Sequence, residues 1–346
     1  MMVVAYLNGK HSVSVNQRSQ TNIRVLIALA FGLAIAIALL FSTHTFAEDV
    51  NNAPNTLRVT PVRSDVQIAA GSSGSVKVTI SNLTNSPITV HPIENDFTAG
   101  DESGTPALIL DENEYAPTHS LKRFMTPLSD VTIPANDGVT LDVIITVPAG
   151  AQAGGYFGAL RFAPTSPEAG GQVNLSASVA SLILLTVPGD TVEKLELTDF
   201  EIQQNGKSGT NFRDGTNLQT TFRFENKGNV QVGPFGKITV TKNGQVVHEV
   251  DFNDQDQRDV ILPDSARRWD VPLENIEGFG HYTVYATLTY GSSNQTVEIS
   301  KSFWVIPVWV MIVAAAVLLV IAGIVVAIIF GLRSRRRRIV RSMRRR

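Results

Sequence analysis

The sequence predicts an all-β protein: two similar sandwiches in tandem, followed by one apolar helix. Three observations carry that prediction. Between Val50 and Phe303, short apolar–polar alternations such as Val76-Val78-Ile80, Leu141-Val143-Ile145-Val147 and Phe222-Phe224 are broken by Gly, Pro, Asn and Asp, and no stretch has helical period. One constellation of residues occurs twice in the same order within that span. Beyond it, Val308 to Leu332 is a run of 25 residues without a charge.

Charge divides the chain in the same way. The 29 Lys+Arg and 31 Asp+Glu nearly cancel, yet all the acids lie between Glu48 and Phe303. Before them stand only Lys10, Arg18 and Arg24, and after Phe303 come nine Arg and no acid. An acidic body is thus flanked by basic ends. At 43% hydrophobic residues the body can build real cores, which excludes wholesale disorder. The absence of Cys excludes disulfides, thiolate-bound zinc, iron–sulfur clusters and thiol nucleophiles.

Residues 1–47 read as a leader and signal peptide. Val25 to Phe41 is apolar, follows Arg18 and Arg24, and precedes Thr45-Phe46-Ala47, which satisfies the small-residue rule for cleavage after Ala47. The alternative is a retained anchor, because Ser42 and Thr43 extend the run toward spanning length.

Residues 48–188 and 189–303 read as the two sandwiches. Val78 to Ile88 aligns without a gap on Phe222 to Val232, so that Asn82 meets Asn226 and Asn85 meets Asn229; paired Asn mark a strand end by capping the turn. Val131 to Pro134 then matches Val260 to Pro263, and Gly154-Gly155-Tyr156 matches Gly280-His281-Tyr282. Tyr156 and Tyr282, each entering a late strand after a Gly-containing turn, predict tyrosine corners and hence immunoglobulin-like sandwiches. From Asn82 to Tyr156 is 74 residues but from Asn226 to Tyr282 only 56. The surplus is assigned to a loop, Glu94 to Ser120, rich in acids, Gly and Pro. Long loops in compact domains tend to carry function, which makes Glu94, Asp96, Phe97, Asp111, Glu112 and Tyr115 candidate recognition residues. The boundary at Val187 to Asp190 is a short hinge of limited freedom.

No catalytic, cofactor or metal constellation emerges, so no enzyme activity and no cofactor are expected. The six His have no zinc spacing, and Gly71 to Ser75 lacks the final Gly of a nucleophile elbow. The acidic string Asp251 to Asp259 lacks the Gly and Glu of a calcium loop and is expected to be a solvated hairpin connection inside the second domain, away from the hinge.

Residues 304–332 predict a transmembrane helix. At about 1.5 Å per residue the charge-free run exceeds a ~30 Å hydrocarbon core. Trp304 and Trp309 stand at its entrance and Arg333, Arg335, Arg336, Arg337 and Arg338 at its exit, so the positive-inside rule puts the ectodomain outside and the tail, 333–346, in the cytoplasm. That tail has no aromatic residue for stacking on bases; it reads as a stop-transfer segment held against membrane lipid, not as a nucleic-acid binder. Gly323, Ala327 and Gly331 recur every four residues, a stripe through which two helices could pack as a homodimer.

The run Leu57 to Phe303 resembles the WxL-interacting proteins, two-domain, single-pass bacterial surface proteins. The likeness is carried by Val147-Pro148-Ala149-Gly150-Ala151-Gln152-Ala153-Gly154-Gly155-Tyr156, by Phe157 to Leu160, by Glu225-Asn226-Lys227-Gly228-Asn229 and by Val260 to Pro263. It implies a peptidoglycan-facing first domain and a partner-binding second one. The expected function is a membrane-anchored adaptor for cell-wall polymer or another surface protein. The alternative is an extracytoplasmic chaperone acting by strand addition, with Val179 to Val187 as donor strand.

Overall fold

In the computed structural model, residues 56–165 and 178–343 are described, with side chains as far as Phe330. The leader, with its apolar run and cleavage site, lies outside the described residues. The architecture is all-β with one helix: two immunoglobulin-like sandwiches and a C-terminal apolar helix.

The first sandwich comprises β1 (Leu57–Thr60), β2 (Arg63–Gln67), β3 (Ser73–Asn82), β4 (Ile88–Ala99), β5 (Pro106–Leu108), β6 (Val131–Ile133), β7 (Gly138–Thr146), β8 (Gly154–Pro164) and β9 (Val179–Val187). One sheet has the order β1-β3-β7; the other runs β2-β9-β8-β4-β5, with β6 also paired to β4. The chain crosses between sheets at Pro61-Val62, where β1, antiparallel to β3, gives way to β2, parallel to β9. Strand alternation fills the space between the sheets: Val78, Ile80, Val143, Ile145, Leu160, Phe162, Ile183 and Leu185 form its core.

The second sandwich comprises β10 (Leu195–Gln204), β11 (Lys207–Ser208), β12 (Asn211–Phe212), β13 (Leu218–Asn226), β14 (Phe235–Lys242), β15 (Gln245–Phe252), β16 (Ala266–Pro272), β17 (Gly280–Tyr290) and β18 (Gln295–Val305). Its sheets are β11-β10-β13-β16 and β12-β18-β17-β14-β15. Phe222, Phe224, Ile238, Val240, Tyr282, Val284 and Phe303 face one another between them. From Asn55 onward the chain is one compact unit.

The repeated residues do the same work twice. Buried Asn82 donates from its amide to the carbonyls of Ser86 (2.7 Å) and Pro134 (3.1 Å), while its oxygen accepts from the Thr84 N–H (2.9 Å). Asn226 donates to Val230 (2.8 Å) and Ile261 (2.9 Å) and accepts from Gly228 (2.8 Å). Asn82 also reaches the Ile133 carbonyl (3.3 Å), so Ile133, not Thr132, is the counterpart of Ile261. The sequence match made on the following prolines is one residue out of register, because the buried Ile sets the structural position. Both tyrosine corners are present: the Tyr156 hydroxyl donates to the Gln152 carbonyl (3.0 Å) and the Tyr282 hydroxyl to that of Glu277.

The segment expected as a loop is irregular over 100–105 and 109–119, but its start and a short central stretch are built into the sheet. Glu94 to Ala99 complete β4, β5 folds back on it with Phe97 opposite Leu108, and the chain then passes through one 3₁₀ turn (Lys122–Phe124) to β6. On this stretch Leu121 and Met125 tuck into the main core.

After β18 only Ile306 and Pro307 intervene before α1 (Val308–Met343). Within it Val308–Phe330, 23 residues, is long and apolar enough to cross a membrane, and none of it is buried against the protein.

Candidate functional site

A cleft of about 260 Å³ opens where the two sandwiches meet. Its floor exists because β8 and β9 are apolar on both faces. Their inward residues join the first core, while Phe157, Ala159, Leu182 and Leu184 point outward with Phe97 of β4, and Val260 and Leu262 of the second sandwich pack over them. An outer sheet face is ordinarily wet; here it is a second, smaller core whose open part is the cleft.

Two guanidinium groups flank the floor. Arg63 reaches Asp65 (2.8 Å) and donates to the Arg258 carbonyl (2.8 Å), while Gln257 donates back to the Arg63 carbonyl (2.9 Å). Arg267, 14% exposed, pairs with Asp259 (2.7 Å) and lies over the Trp269 ring; its Nε is buried without a hydrogen-bond partner among the described residues. The third wall is the turn between β4 and β5. Asp101 accepts from the Ser103 hydroxyl and N–H, and these bonds, the hydroxyl's first, hold its carboxyl below the usual range. Gly104 (φ +86°) passes directly over Arg267, where a Cβ would lie 2.2 Å from Cζ.

Glu102 in that turn fastens the sandwiches together. Its carboxylate accepts from Arg223 Nε (2.9 Å) and Nη2 (2.7 Å), and its carbonyl accepts the Arg268 N–H (2.7 Å) at the free edge of β16. On the other side of the joint Asn229 donates to the Ala153 carbonyl (3.1 Å), accepts from Val192 N–H (2.7 Å), and takes the Gly155 N–H on its own carbonyl (2.8 Å). These ties restrain the hinge at Val187 to Asp190. The hydrogen bonds from Arg223 lower the Glu102 pKa. A depressed carboxyl stabilises above its unfolded value of about 4.3 and loses that contribution as pH falls through the folded value. The pair is half exposed, so its share is below about 1 kcal/mol. Spin labels on the two sandwiches should therefore report a distance distribution that broadens on acidification, and Glu102→Gln should be broader already at neutral pH. An unchanged distribution in the variant would show that this tie does not hold the joint.

The candidate residues divide. Phe97, 4% exposed, lies in the cleft floor. Glu94 accepts from the Leu128 N–H (3.2 Å), and fully buried Asp96 accepts from Ala116 N–H (2.9 Å) and Lys122 N–H (2.8 Å); both act as anchors within a strand, not as loop residues. Asp111 and Glu112 are exposed, and Tyr115 lies beneath Arg123 and Lys122, with cation-to-ring distances of 4.4 and 5.0 Å. None of these three lines the cleft. The acidic string is exposed from Asp254 to Arg258, as a solvated connection should be, but it also meets the first sandwich. It ends at the joint, with Gln257 and Asp259 in the cleft wall and Asn253 closing the loop on the Asp259 carbonyl (2.9 Å). Among the described residues no group of three His, Asp or Glu is arranged to hold a metal. Gly323 and Ala327 lie on α1 with open space at Gly323; the surroundings of Gly331 fall outside the described side chains.

Val62, Arg63, Asp259 and Arg267 were missed as site residues. A signal existed for the floor: Tyr156 to Phe162 and Leu182 to Leu185 are nearly continuous apolar runs, which mark a strand buried on both faces.

No family model and no curated protein matches the chain. Among solved structures it is similar to the class 5 fimbriae chaperone CfaA (14% identity, 71% of this chain and 98% of that one, TM-score 0.37). It is also similar to the chaperone DraB of E. coli (16%, 72% and 96%, TM-score 0.33) and the CupB2 chaperone of Pseudomonas aeruginosa (10%, 71% and 100%, TM-score 0.33).

Proposed function

We propose that the protein is a single-pass surface adaptor, with its sandwiches outside the cell and its Arg-rich end in the cytoplasm, and that the cleft binds an extended segment of another surface protein. The observation that carries this is the cleft itself: an apolar floor of Phe97, Leu182 and Leu184 between two part-buried arginines, on a joint tied from both sides. Such a floor takes apolar side chains, and the rim can meet backbone carbonyls or carboxylates. The charge-free helix and the arginines after it support the orientation. Membership of the WxL-interacting proteins, contact with cell-wall polymer, pairing of two copies through the Gly323 stripe, and a role without catalysis belong to the same proposal.

The chaperone reading requires a strand free to pair. β9, the expected donor, is paired along Val179–Val187 by β8 and along Leu182–Thr186 by β2, so a client would have to displace β2. A photo-crosslinker at Val62, exposed at the cleft mouth, is expected to trap a discrete cell-surface species on intact cells. One at Ile144, exposed on the opposite sheet, should not, and Leu182→Glu should abolish the Val62 product. Equal products from both positions would sink the cleft as the binding site.

A further inference from the structure

Where α1 leaves the second sandwich, the surface carries an aromatic patch that the core does not account for. Trp304 is 41% and Phe279 47% exposed, with ring centroids 5.9 Å apart, and the His281 ring lies 4.9 Å from Trp304. The next outward positions along β18, Ser302 and Ser300, are polar. On β17 the exposed Tyr285 stands opposite Ser300 on the same face, and large exposed aromatics gathered on a sheet face mark a contact surface.

The connection to the helix decides what that surface contacts. Four peptide steps separate Trp304 from Val308, a reach of at most about 14 Å. There is no slack to swing away. Trp304 is held in β18 between His281 of β17 and Asn211 of β12, its N–H bonded to the Thr210 carbonyl (2.7 Å), and the Ile306 N–H is bonded to that of Phe212 (2.7 Å). The sandwich therefore holds the chain as far as Ile306, two residues before the helix begins. Trp309, 60% exposed, stands in the first turn of α1. Beside Phe279, the Lys242 ammonium donates to the Glu277 carbonyl (2.8 Å), which places a cation at the same end of the sandwich.

We infer that Phe279 and Trp304 form a lipid-contact surface: they enter the headgroup layer of the leaflet in which α1 begins and hold the second sandwich against the bilayer at a fixed tilt. The inference rests on the membrane-spanning reading of α1. An indole ring is favoured at that boundary because its body is apolar and its N–H polar, a phenyl ring beside it can enter the acyl edge, and a nearby Lys adds attraction to anionic headgroups. With the joint between the sandwiches restrained, the cleft is then held near a set height and direction above the membrane instead of sweeping a cone.

The chain's three tryptophans make the test direct, because Trp269 belongs to the second sandwich's packing, Trp304 to the patch and Trp309 to the helix. The full chain is reconstituted in phosphatidylcholine vesicles, with and without phosphatidylglycerol, as three variants that each keep one Trp and carry Phe at the other two. Quenching by lipids brominated near the glycerol is expected for Trp304 and Trp309 and not for Trp269. Phe279→Asp should remove the quenching of Trp304, leave that of Trp309 unchanged and leave the Trp269 emission maximum in place, which shows the fold intact. Quenching of Trp309 with none of Trp304 would overturn the inference while the span stands. Quenching of neither would overturn the spanning reading and this inference with it. Loss of Trp304 quenching only when phosphatidylglycerol is omitted would assign the contact to Lys242 instead of the rings, and would also overturn it.

Discussion

Asn226→Ala is expected to lower the stability of the second sandwich by roughly 3–5 kcal/mol, more than any truncation of comparable size on the surface. The side chain is fully buried and uses both ends: two amide hydrogens go to the Val230 and Ile261 carbonyls, and the oxygen takes the Gly228 N–H. Alanine leaves three backbone groups unpaired, each costing about 1–3 kcal/mol before relaxation. Asn226→Asp keeps the shape but has no hydrogens to give, so it should fail almost as badly by setting a carboxylate against two carbonyls. Asn82→Ala should cost less, because its partners Ser86 and Thr84 lie in a more exposed turn and can turn to water. Denaturant unfolding of the full chain in detergent measures all three. If Asn226→Asp proves as stable as the native chain, the bonding scheme is wrong.

That Asn pair also shows why so much of the fold was readable. Period-2 alternation in Val76-Val78-Ile80 and in Tyr282-Val284-Ala286-Leu288-Tyr290 names the buried face directly, since burial follows it residue by residue. Two Asn after an alternating strand, and a Tyr after a Gly turn, are recognisable because part of what each bonds lies within five residues of it, although Asn82 and Asn226 also reach carbonyls 52 and 35 residues on. What failed was reasoning about segments whose roles are set by distant partners. Glu94, Asp96 and Phe97 look like the start of an acidic loop, yet the carboxylates are consumed by backbone N–H groups up to 34 residues away and the ring by the second sandwich. The string Asp251 to Asp259 is solvated over most of its length, as expected, but it joins two sheets instead of closing a hairpin, and its end meets Arg267, which spacing does not reveal because β16 brings that side chain back to the joint. Composition identifies charge, but topology decides what the charge meets.

The outward-facing core gives the second large effect. Phe157→Ala should cost about 3–5 kcal/mol, the usual range for emptying a buried phenylalanine site, although Phe157 lies on the side of the sheet that a sandwich normally leaves wet. It is 3% exposed, 6.0 Å from the Phe97 ring and 5.9 Å from the His119 ring, in the cluster that Val260 and Leu262 cover. A cavity there weakens the first sandwich and, at the same time, the grip of the second sandwich on it. A single cooperative thermal transition should split into two, with the first sandwich melting earlier. Phe162→Ala provides the comparison, because that ring is fully buried between the sheets and does not belong to the cluster beneath Val260. Its loss should be as large, yet the hydrogen-exchange protection of the Arg268 amide, which depends on Glu102 across the joint, should survive in native conditions. In Phe157→Ala that protection should fall before global unfolding. If both variants leave the Arg268 amide equally protected, the cluster stabilises only the sheet on which it lies, and the joint must be ascribed to the hydrogen bonds of Glu102, Asn229 and Arg63 that cross it.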